Sequence, residues 1–263
     1  MRLLGLGLLL GFAAPAGAVE TLFPEQAATR SLAVSSIDGN KPLGQGTLTQ
    51  WVEGDRLHIV LTYQYEDGRQ IDESAVQLQQ PELTQERWTW RERRNGQTTR
   101  QFNIDFGTGR ATGVIRQDGK TRRYNERLAV EPGRTFAGAG FAAAAKNLLP
   151  RLRQGEDIEL QALAFTPKPR KAKVKLSREG TETLTHGGKT ITADRVIIHP
   201  EIGLASLVVK VPDTELYFTG SEPPVMLGGE GPVSGPGDIL VRTEVVPRQQ
   251  APAAARRQPQ RNR

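Results

Sequence analysis

The chain lacks cysteine entirely and has only three histidines and two methionines among 263 residues. Without cysteine, disulfides, thiolate nucleophiles, cysteine-ligated zinc and iron–sulfur clusters are all excluded, and so is a lipid anchor on an N-terminal cysteine. The three histidines, at His58, His186 and His199, have no spacing that places two metal ligands on one strand or helix. The sequence therefore predicts no metal site, no cofactor and no catalytic residues.

The chain also lacks any apolar run long enough to span a bilayer as a helix. Residues 1–18, MRLLGLGLLLGFAAPAGA, place one arginine before a short apolar run and end in Ala-Gly-Ala. This is the pattern of a signal peptide with cleavage between Ala18 and Val19. We expect an exported chain without a transmembrane segment, either periplasmic or secreted.

Acidic residues are absent from residues 247–263, which read PRQQAPAAARRQPQRNR and contain five arginines. This composition predicts a disordered basic tail. Without Arg2 and the tail, basic and acidic residues balance at 29 each. The remaining part, residues 19–246, is therefore formally neutral, and nucleic acid is not an expected partner. The sequence leaves open whether the tail contacts an anionic envelope surface or is only solvated.

The first half of the chain has the turn signals of an antiparallel meander. Asp-Gly or Asn-Gly pairs, which supply the positive φ angles of tight hairpins, recur at Asp38, Asp67, Asn95 and Asp118. Their spacing predicts strands of about ten residues, with one unmarked turn near Gln80-Pro81. Within those strands apolar and polar residues alternate, which is typical of a sheet covered on one side.

The second half contains one alanine-rich helical segment, expected at residues 137–149 within an insert near 137–153 and closed by Pro150 and Gly155. Strands are predicted over residues 157–165, 172–178, 181–185, 189–199, 204–211 and 239–246, with a loop at 220–237. The fold class is therefore all-β with one short helix. We expect a long-stranded antiparallel meander that forms a strongly curved sheet or incomplete barrel. A single domain over residues 19–246 is favoured, although the break at 132–156 allows two.

One segment carries a family resemblance. Residues 36–46, SIDGNKPLGQG, resemble the opening hairpin of several uncharacterised bacterial exported β-domain families. The later order is similar as well, with a helical insert, Gly155-Glu156, a set of strands and a Gly-Pro loop before the last strand. The resemblance covers most of residues 30–246. It implies a half-barrel shaped like lipoprotein carriers and lipocalins, with no established catalytic residues.

Two motifs imitate nucleotide-binding sequences. Residues 138–143, GAGFAA, fit the dinucleotide pattern G-x-G-x-x-A, but no buried strand precedes them, so a tight turn into a packing helix is the better interpretation. Gly188-Lys189-Thr190 lacks the earlier glycine and the following helix of a phosphate loop. Adjacent carboxylates such as Asp72-Glu73 point to opposite faces of a strand. A glycosidase-like pair assembled across strands remains open.

The aromatic residues are the most informative candidates for binding. Alternation predicts that Trp88 and Trp90 share the covered face of the sheet with Tyr63 and Tyr65, because Arg87, Arg91 and Arg93 occupy the other parity. Trp51 is expected to join this set, which could hold an acyl chain or a sugar ring or could simply fill the core. The sequence thus favours a non-catalytic envelope protein that binds a lipid-like or glycan ligand. The alternative is a structural or assembly factor that acts through protein contacts.

Overall fold

The computed structural model describes residues 17–38, 41–201, 211–233, 235 and 237–246. Most of the expected signal peptide, the whole basic tail and nearly all of the strand predicted at 204–211 lie outside these residues. The first half of the described chain contains β1 Ala28–Ser36, β2 Pro42–Glu53, β3 Arg56–Tyr65, β4 Arg69–Leu78, β5 Thr84–Arg94, β6 Gln97–Asp105, β7 Arg110–Gln117 and β8 Lys120–Arg127. The second half contains β9 Thr135–Phe136, α1 Gly140–Arg153, β10 Ile158–Phe165, β11 Pro169–His186, β12 Lys189–Glu201, β13 Thr214–Thr219, β14 Met226–Pro232 and β15 Leu240–Val246.

All fifteen described strands belong to one sheet, in the order β8-β7-β6-β5-β4-β3-β2-β1-β15-β14-β13-β12-β11-β10-β9. Neighbours pair antiparallel, except for the short parallel pair of β9 with β10. The first strand pairs with the last, with Leu32 opposite Val245. No backbone ladder joins the two outer strands, β8 and β9, in the described part of the chain. The fold class is therefore confirmed as an all-β, curved antiparallel sheet that is not closed into a barrel.

The turns of the first half follow the predicted pattern. Asn95 and Asp118 have φ angles of 49° and 51°, and each precedes a glycine that also has positive φ. These are the conformations that two-residue hairpins require, and Asn and Asp tolerate them better than other non-glycine residues. The unmarked turn falls between Leu78 and Thr84, as predicted near Gln80-Pro81.

Two predictions for the second half are wrong. The strands expected at 172–178 and 181–185 are one continuous strand, β11, in which Glu179-Gly180 is a bulge where the register against β12 shifts. The loop expected at 220–237 contains a strand, β14, even though its sequence is MLGGEGP. Gly228 fits there because its backbone approaches β15 so closely that a Cβ atom would lie 2.3 Å from the carbonyl oxygen of Thr243.

The helix begins and ends later than its sequence suggests. It runs from Gly140 to Arg153, and Pro150 lies inside it rather than after its end. A proline inside a helix removes one backbone hydrogen bond, but Leu149 and Leu152 on either side of it are buried and hold the last turn against the sheet. No helix within the described ranges is long and apolar enough to cross a membrane.

The covered side of the sheet is called the inner face, and the opposite side the outer face. On the inner face, α1 packs against β10–β13 in a cluster that includes Leu149, Leu160 and Phe218. A second cluster, rich in aromatic residues, lies against β3–β7 and includes Trp90 and Phe165. Strand β10 contributes to both, because Leu160 and Leu163 point to its two sides and both are buried. The edge that contains β9 and β10 is thus tucked inside the curve.

Residues 19–25 cross over α1 before β1 begins. Val19 is buried, and its backbone donates to Gly133 O (2.9 Å) and accepts from Leu83 N (2.7 Å). The side-chain oxygen of Asn147 on α1 accepts hydrogen bonds from the backbone amides of Leu22 and Phe23, each at 2.7 Å. The segment therefore ties α1 to neighbouring loops, and we call it the N-terminal strap.

Candidate functional site

Four of the five aromatic residues predicted from the sequence lie on the inner face. Tyr63 and Tyr65 come from β3, and Trp88 and Trp90 come from β5; all four belong to the aromatic cluster. Trp88 and Trp90 are buried, whereas Arg87 and Arg91 beside them are exposed. The alternation of β5 thus orients its side chains as the sequence predicts.

Trp51 does not join this set, which corrects the sequence-based grouping. It pairs with His58 across β2 and β3, on the outer face, while Val52 opposite Leu57 takes the inner parity. The rings of Trp51 and His58 stack with centroids 4.9 Å apart, and 37% of Trp51 remains exposed. The two tyrosines and two tryptophans are therefore separated from Trp51 by the thickness of the sheet.

The tryptophans are part of a continuous aromatic stack. Trp90 stacks on Phe102 at 5.4 Å between centroids, and Phe102 stacks on Phe165 at 4.2 Å. Phe165 also faces Trp88 at 6.1 Å. Phe165 comes from β10, so the tucked-in edge of the sheet supplies the ring that covers the tryptophans. This part of the inner face is filled by the chain itself.

Charged residues close one end of the aromatic stack. The guanidinium of Arg100 lies 5.2 Å from the ring centroid of Trp90 and pairs with Glu92 at 2.6 Å and with Asp238 at 3.2 Å. Close by, Arg69 lies 4.6 Å above the ring of Tyr65. Burial raises the pKa of Tyr65 to about 12, although the positive charge of Arg69 opposes the shift. The Arg100–Asp238 pair ties Asp238, which lies just before β15, to the Trp90 end of the stack.

Glu73 is an inward-facing carboxylate, which the sequence had indicated only as one member of the adjacent pair Asp72-Glu73 and not as a binding residue. Its Oε1 atom accepts hydrogen bonds from Trp88 Nε1 (2.8 Å) and from the backbone amide of Ala139 (2.6 Å) at the start of α1. Burial raises the pKa of Glu73, and these two hydrogen bonds act in the opposite direction. The available signal was its position on β4, between Ile71 and Ala75 on the apolar parity.

The glycine motif before α1 is explained by this contact. Gly138 has a φ of 50°, and a Cβ atom there would lie 2.0 Å from Glu73 Oε1 and 2.2 Å from Trp88 Nε1. Next to it, the side chain of Gln85 both donates to Ala137 O (3.1 Å) and accepts from Ala137 N (2.8 Å). The small residues thus let the backbone dock on buried side chains of β4 and β5, as the interpretation of a tight turn into a packing helix predicts.

The middle of the inner face is less completely covered than its ends. Along β3, Leu57, Ile59 and Tyr65 are buried, while Leu61 and Tyr63 between them are only half-buried. Leu48 and Glu73, which pair with Leu61 across β2 and β4, are half-buried too. We call the region bounded by Leu48, Leu61, Tyr63 and Glu73 the hollow.

The hollow combines apolar walls with two polar groups. Tyr63 and Glu73 are diagonal neighbours on adjacent strands, because Tyr63 pairs with Ile71 and Glu73 pairs with Leu61. Burial is the main cause that raises the pKa of Tyr63, and the Glu73 carboxylate adds to it. Among the described residues no donor reaches the second Glu73 oxygen, Oε2. The hollow can therefore offer a carboxylate acceptor and a phenol to a ligand.

The histidines lie apart from the hollow. His58 is on the outer face beneath Trp51, His186 ends β11 at a turn, and His199 bonds Asp213 at 2.7 Å. Across the described ranges, no group of three or more histidine and acidic side chains is close enough to hold a metal ion.

Comparison with known proteins gives structural matches without sequence relatives. No family model matches the chain, and no curated protein matches it. A crystal structure of a beta-barrel-like protein of the domain of unknown function DUF1849 from Brucella abortus is 8% identical, covers 85% of this chain and 98% of its own, and has a TM-score of 0.46. The hypothetical lipoprotein YmcC from Escherichia coli is 10% identical, covers 85% of each chain and has a TM-score of 0.37.

Proposed function

We propose that this protein is an exported, non-catalytic component of the bacterial envelope that binds an apolar or amphipathic ligand in the hollow of its curved sheet. One observation carries the proposal. Inward-facing side chains in the middle of β3 are half-buried, although those at both ends of the same strand are buried. An apolar surface left uncovered inside a sheet is typical of a ligand site, since small-molecule sites are concave and mostly apolar.

The polar groups of the hollow favour one class of ligand. Leu48 and Leu61 suit an alkyl or acyl chain, while Glu73 and Tyr63 suit a head group that donates hydrogen bonds or carries positive charge. An anionic head group would lie beside the Glu73 carboxylate and be repelled while that carboxylate is ionised. The aromatic stack takes no ligand in this proposal, because Phe165 already covers it.

The test compares ligands that share one alkyl chain. Dodecylamine, dodecyl maltoside and dodecanoate, each below its micelle concentration, are titrated against Trp51→Phe protein, so that the emission comes from Trp88 and Trp90. We expect the amine and the maltoside to change the emission, because Trp88 bonds Glu73 at the edge of the hollow, and dodecanoate to bind more weakly. No response to any of the three would contradict the proposal.

A substitution that fills the hollow supplies the second arm. Leu61→Trp places a large ring in the hollow and should weaken binding at least tenfold. Binding to this variant is measured by native mass spectrometry, because the added tryptophan would change the fluorescence signal. Thr62→Trp is the matched control, because Thr62 lies next to it on β3 but faces outward. Equal binding by wild type and the Leu61 variant would place the ligand elsewhere.

A further inference from the structure

The outer face of one end of the sheet carries an array of arginines. Strand pairing places Arg87 opposite Asp105, Asp105 opposite Arg110, and Arg110 opposite Arg127, so these side chains share the outer face. The same strand registers align Arg91 on β5 with Arg123 on β8 in a second row on the outer face. Seven arginines on described strands β5, β7 and β8 face outward; we call them the arginine face: Arg87, Arg91, Arg93, Arg110, Arg116, Arg123 and Arg127.

Few carboxylates neutralise the arginine face. Asp72 forms an ion pair with Arg93. The pKa of Asp105 is lowered mainly by the hydrogen bond that its carboxylate accepts from the Thr108 backbone, and the nearby charge of Arg87 lowers it further. The other outward arginines of β5, β7 and β8 form no ion pair among the described residues. Glu86 at the start of β5 is bound to Arg56. The neutral total of residues 19–246 therefore hides a local excess of positive charge.

The packing of like charges indicates that the array serves something other than stability. Arg110 and Arg127 are direct cross-strand partners, an arrangement that destabilises a sheet when both residues carry the same charge. The rows of arginine are separated by a row of neutral polar residues, in which Thr89, Asn103, Thr112 and Asn125 pair in succession. A face of this composition is suited to phosphate groups, which guanidinium binds with two parallel hydrogen bonds.

An exposed tryptophan lies in line with the first arginine row. Trp51 pairs with His58, His58 with Val76, and Val76 with Arg87, all on the outer face. With strands about 4.8 Å apart, Trp51 is about 14 Å from Arg87. Tryptophan, like tyrosine, is enriched at the boundary between lipid head groups and acyl chains.

We propose that the arginine face docks on an anionic lipid bilayer, with the arginines on lipid phosphates and Trp51 in the head-group layer. The array spreads over β5, β7 and β8 on the convex side of the sheet, which suits an extended surface. A linear polyanion, such as an acidic polysaccharide, is held best along a groove that tracks the chain. Trp51 at the end of the row further favours a bilayer.

The experiment is sedimentation of the full chain with vesicles of phosphatidylcholine that contain roughly one third phosphatidylglycerol, since anionic lipid is what attracts basic residues. We expect binding to these vesicles, weak binding to pure phosphatidylcholine, and release at high salt. The variant that replaces Arg110, Arg123 and Arg127 by Gln should bind at least tenfold more weakly. The control replaces Lys171, Lys173 and Lys175 by Gln, which removes the same charge from lysines that are paired with carboxylates.

Every variant keeps the basic tail, so the comparison isolates the arginine face. Equal losses in the arginine and lysine variants would overturn the proposal, because the effect would then come from net charge alone. Binding to soluble dextran sulfate with no binding to vesicles would overturn it in favour of a polyanion partner. The position of Trp51 is tested with brominated lipid, which should quench wild-type emission and leave the Trp51→Phe protein nearly unquenched. Equal quenching of both would remove Trp51 from the contact.

Discussion

Phe165 stacks on Phe102 with 4.2 Å between ring centroids, although β10 and β6 are far apart in the order of the sheet. The contact is possible because β7 has a glycine at that point; a Cβ on Gly113 would lie 3.1 Å from both rings. Side chains such as Phe165 thus join the two ends of the described sheet, whose outer strands β8 and β9 form no backbone ladder with each other.

Replacing Phe165 by Ala should therefore destabilise the protein strongly. Loss of a buried phenylalanine leaves a cavity and costs about 3–5 kcal/mol. Urea denaturation gives the free energy of unfolding, and Trp51→Ala on the outer face is the control for removing an aromatic ring. A change below about 1 kcal/mol in the Phe165 variant would mean that the ends of the sheet are held by other contacts.

Glu73 should make stability depend on pH. Its pKa is higher in the folded protein than in the unfolded chain, so its favourable contribution is full below the unfolded pKa and is lost as the pH rises through the folded pKa. Glu73→Gln keeps an oxygen acceptor for Trp88 and Ala139 and carries no charge. The melting temperature of this variant relative to wild type should therefore rise as the pH increases above the ordinary pKa of glutamate, about 4.3.

The companion variant Glu73→Ala separates charge from hydrogen bonding. It removes the acceptor and leaves the Trp88 and Ala139 donors unpaired, which costs about 1–3 kcal/mol for each buried group. A difference between the Gln variant and wild type that stays constant with pH would show that the pKa of Glu73 is not raised.

Asn147 should control the N-terminal strap. Asn147→Ala removes the oxygen that accepts hydrogen bonds from the Leu22 and Phe23 amides, and should destabilise the protein by about 1–2 kcal/mol. The loss is limited to this range because water can partly replace the missing oxygen. Hydrogen exchange of these two amides should become at least tenfold faster. The control is Asn103→Ala on the outer face, where the side chain makes one long hydrogen bond of 3.5 Å to Thr112. Unchanged exchange would mean that other contacts hold the strap.

Asp194 is the most buried carboxylate in an ion pair, at 4% side-chain exposure, among the described residues. It accepts from Arg153 at the end of α1 (2.8 Å) and from Arg178 on β11 (2.6 Å). Asp194→Asn removes the buried counter-charge from Arg178 and leaves Arg153 with only the exposed Glu222 at 3.7 Å, so it should cost about 3–5 kcal/mol in chemical denaturation. Asp157→Asn, which breaks an exposed pair with Lys175, should cost less than about 1 kcal/mol. If the Asp194 and Asp157 variants lose similar amounts of stability, burial of the Asp194 carboxylate does not strengthen its ion pairs.

Local signals made the first half of the fold predictable. Turns such as Asn95-Gly96 are set by two residues, and the alternation of β5 identifies its covered side without knowledge of its neighbours. Strand β14 could not be found in this way, because its extended form comes from pairing with β13 and β15 rather than from the glycine-rich sequence.

The candidate site was only partly predictable for a similar reason. Tyr63, Tyr65, Trp88 and Trp90 follow from alternation, but Phe165 reaches them only through the curvature of the whole sheet. Trp51 was misassigned because apolar and polar residues alternate only weakly along β2. The pairing of Val52 with Leu57 across the Gly54-Asp55 turn was the signal that places Trp51 on the outer face. The arginine face could be identified only from the pairing registers of four strands, and no single segment of the sequence contains that information.

The pairing of β1 with β15 makes completion of the sheet depend on the strand that is synthesised after all the other described strands. A chain that emerges from its N-terminus exposes β1 early, and one side of β1 then has no partner until Leu240–Val246 arrives. Throughout that interval β1 is an open edge that other chains can join. A product truncated before Leu240 would keep two such edges, on β1 and β14, and would be prone to aggregate even though every other strand is present.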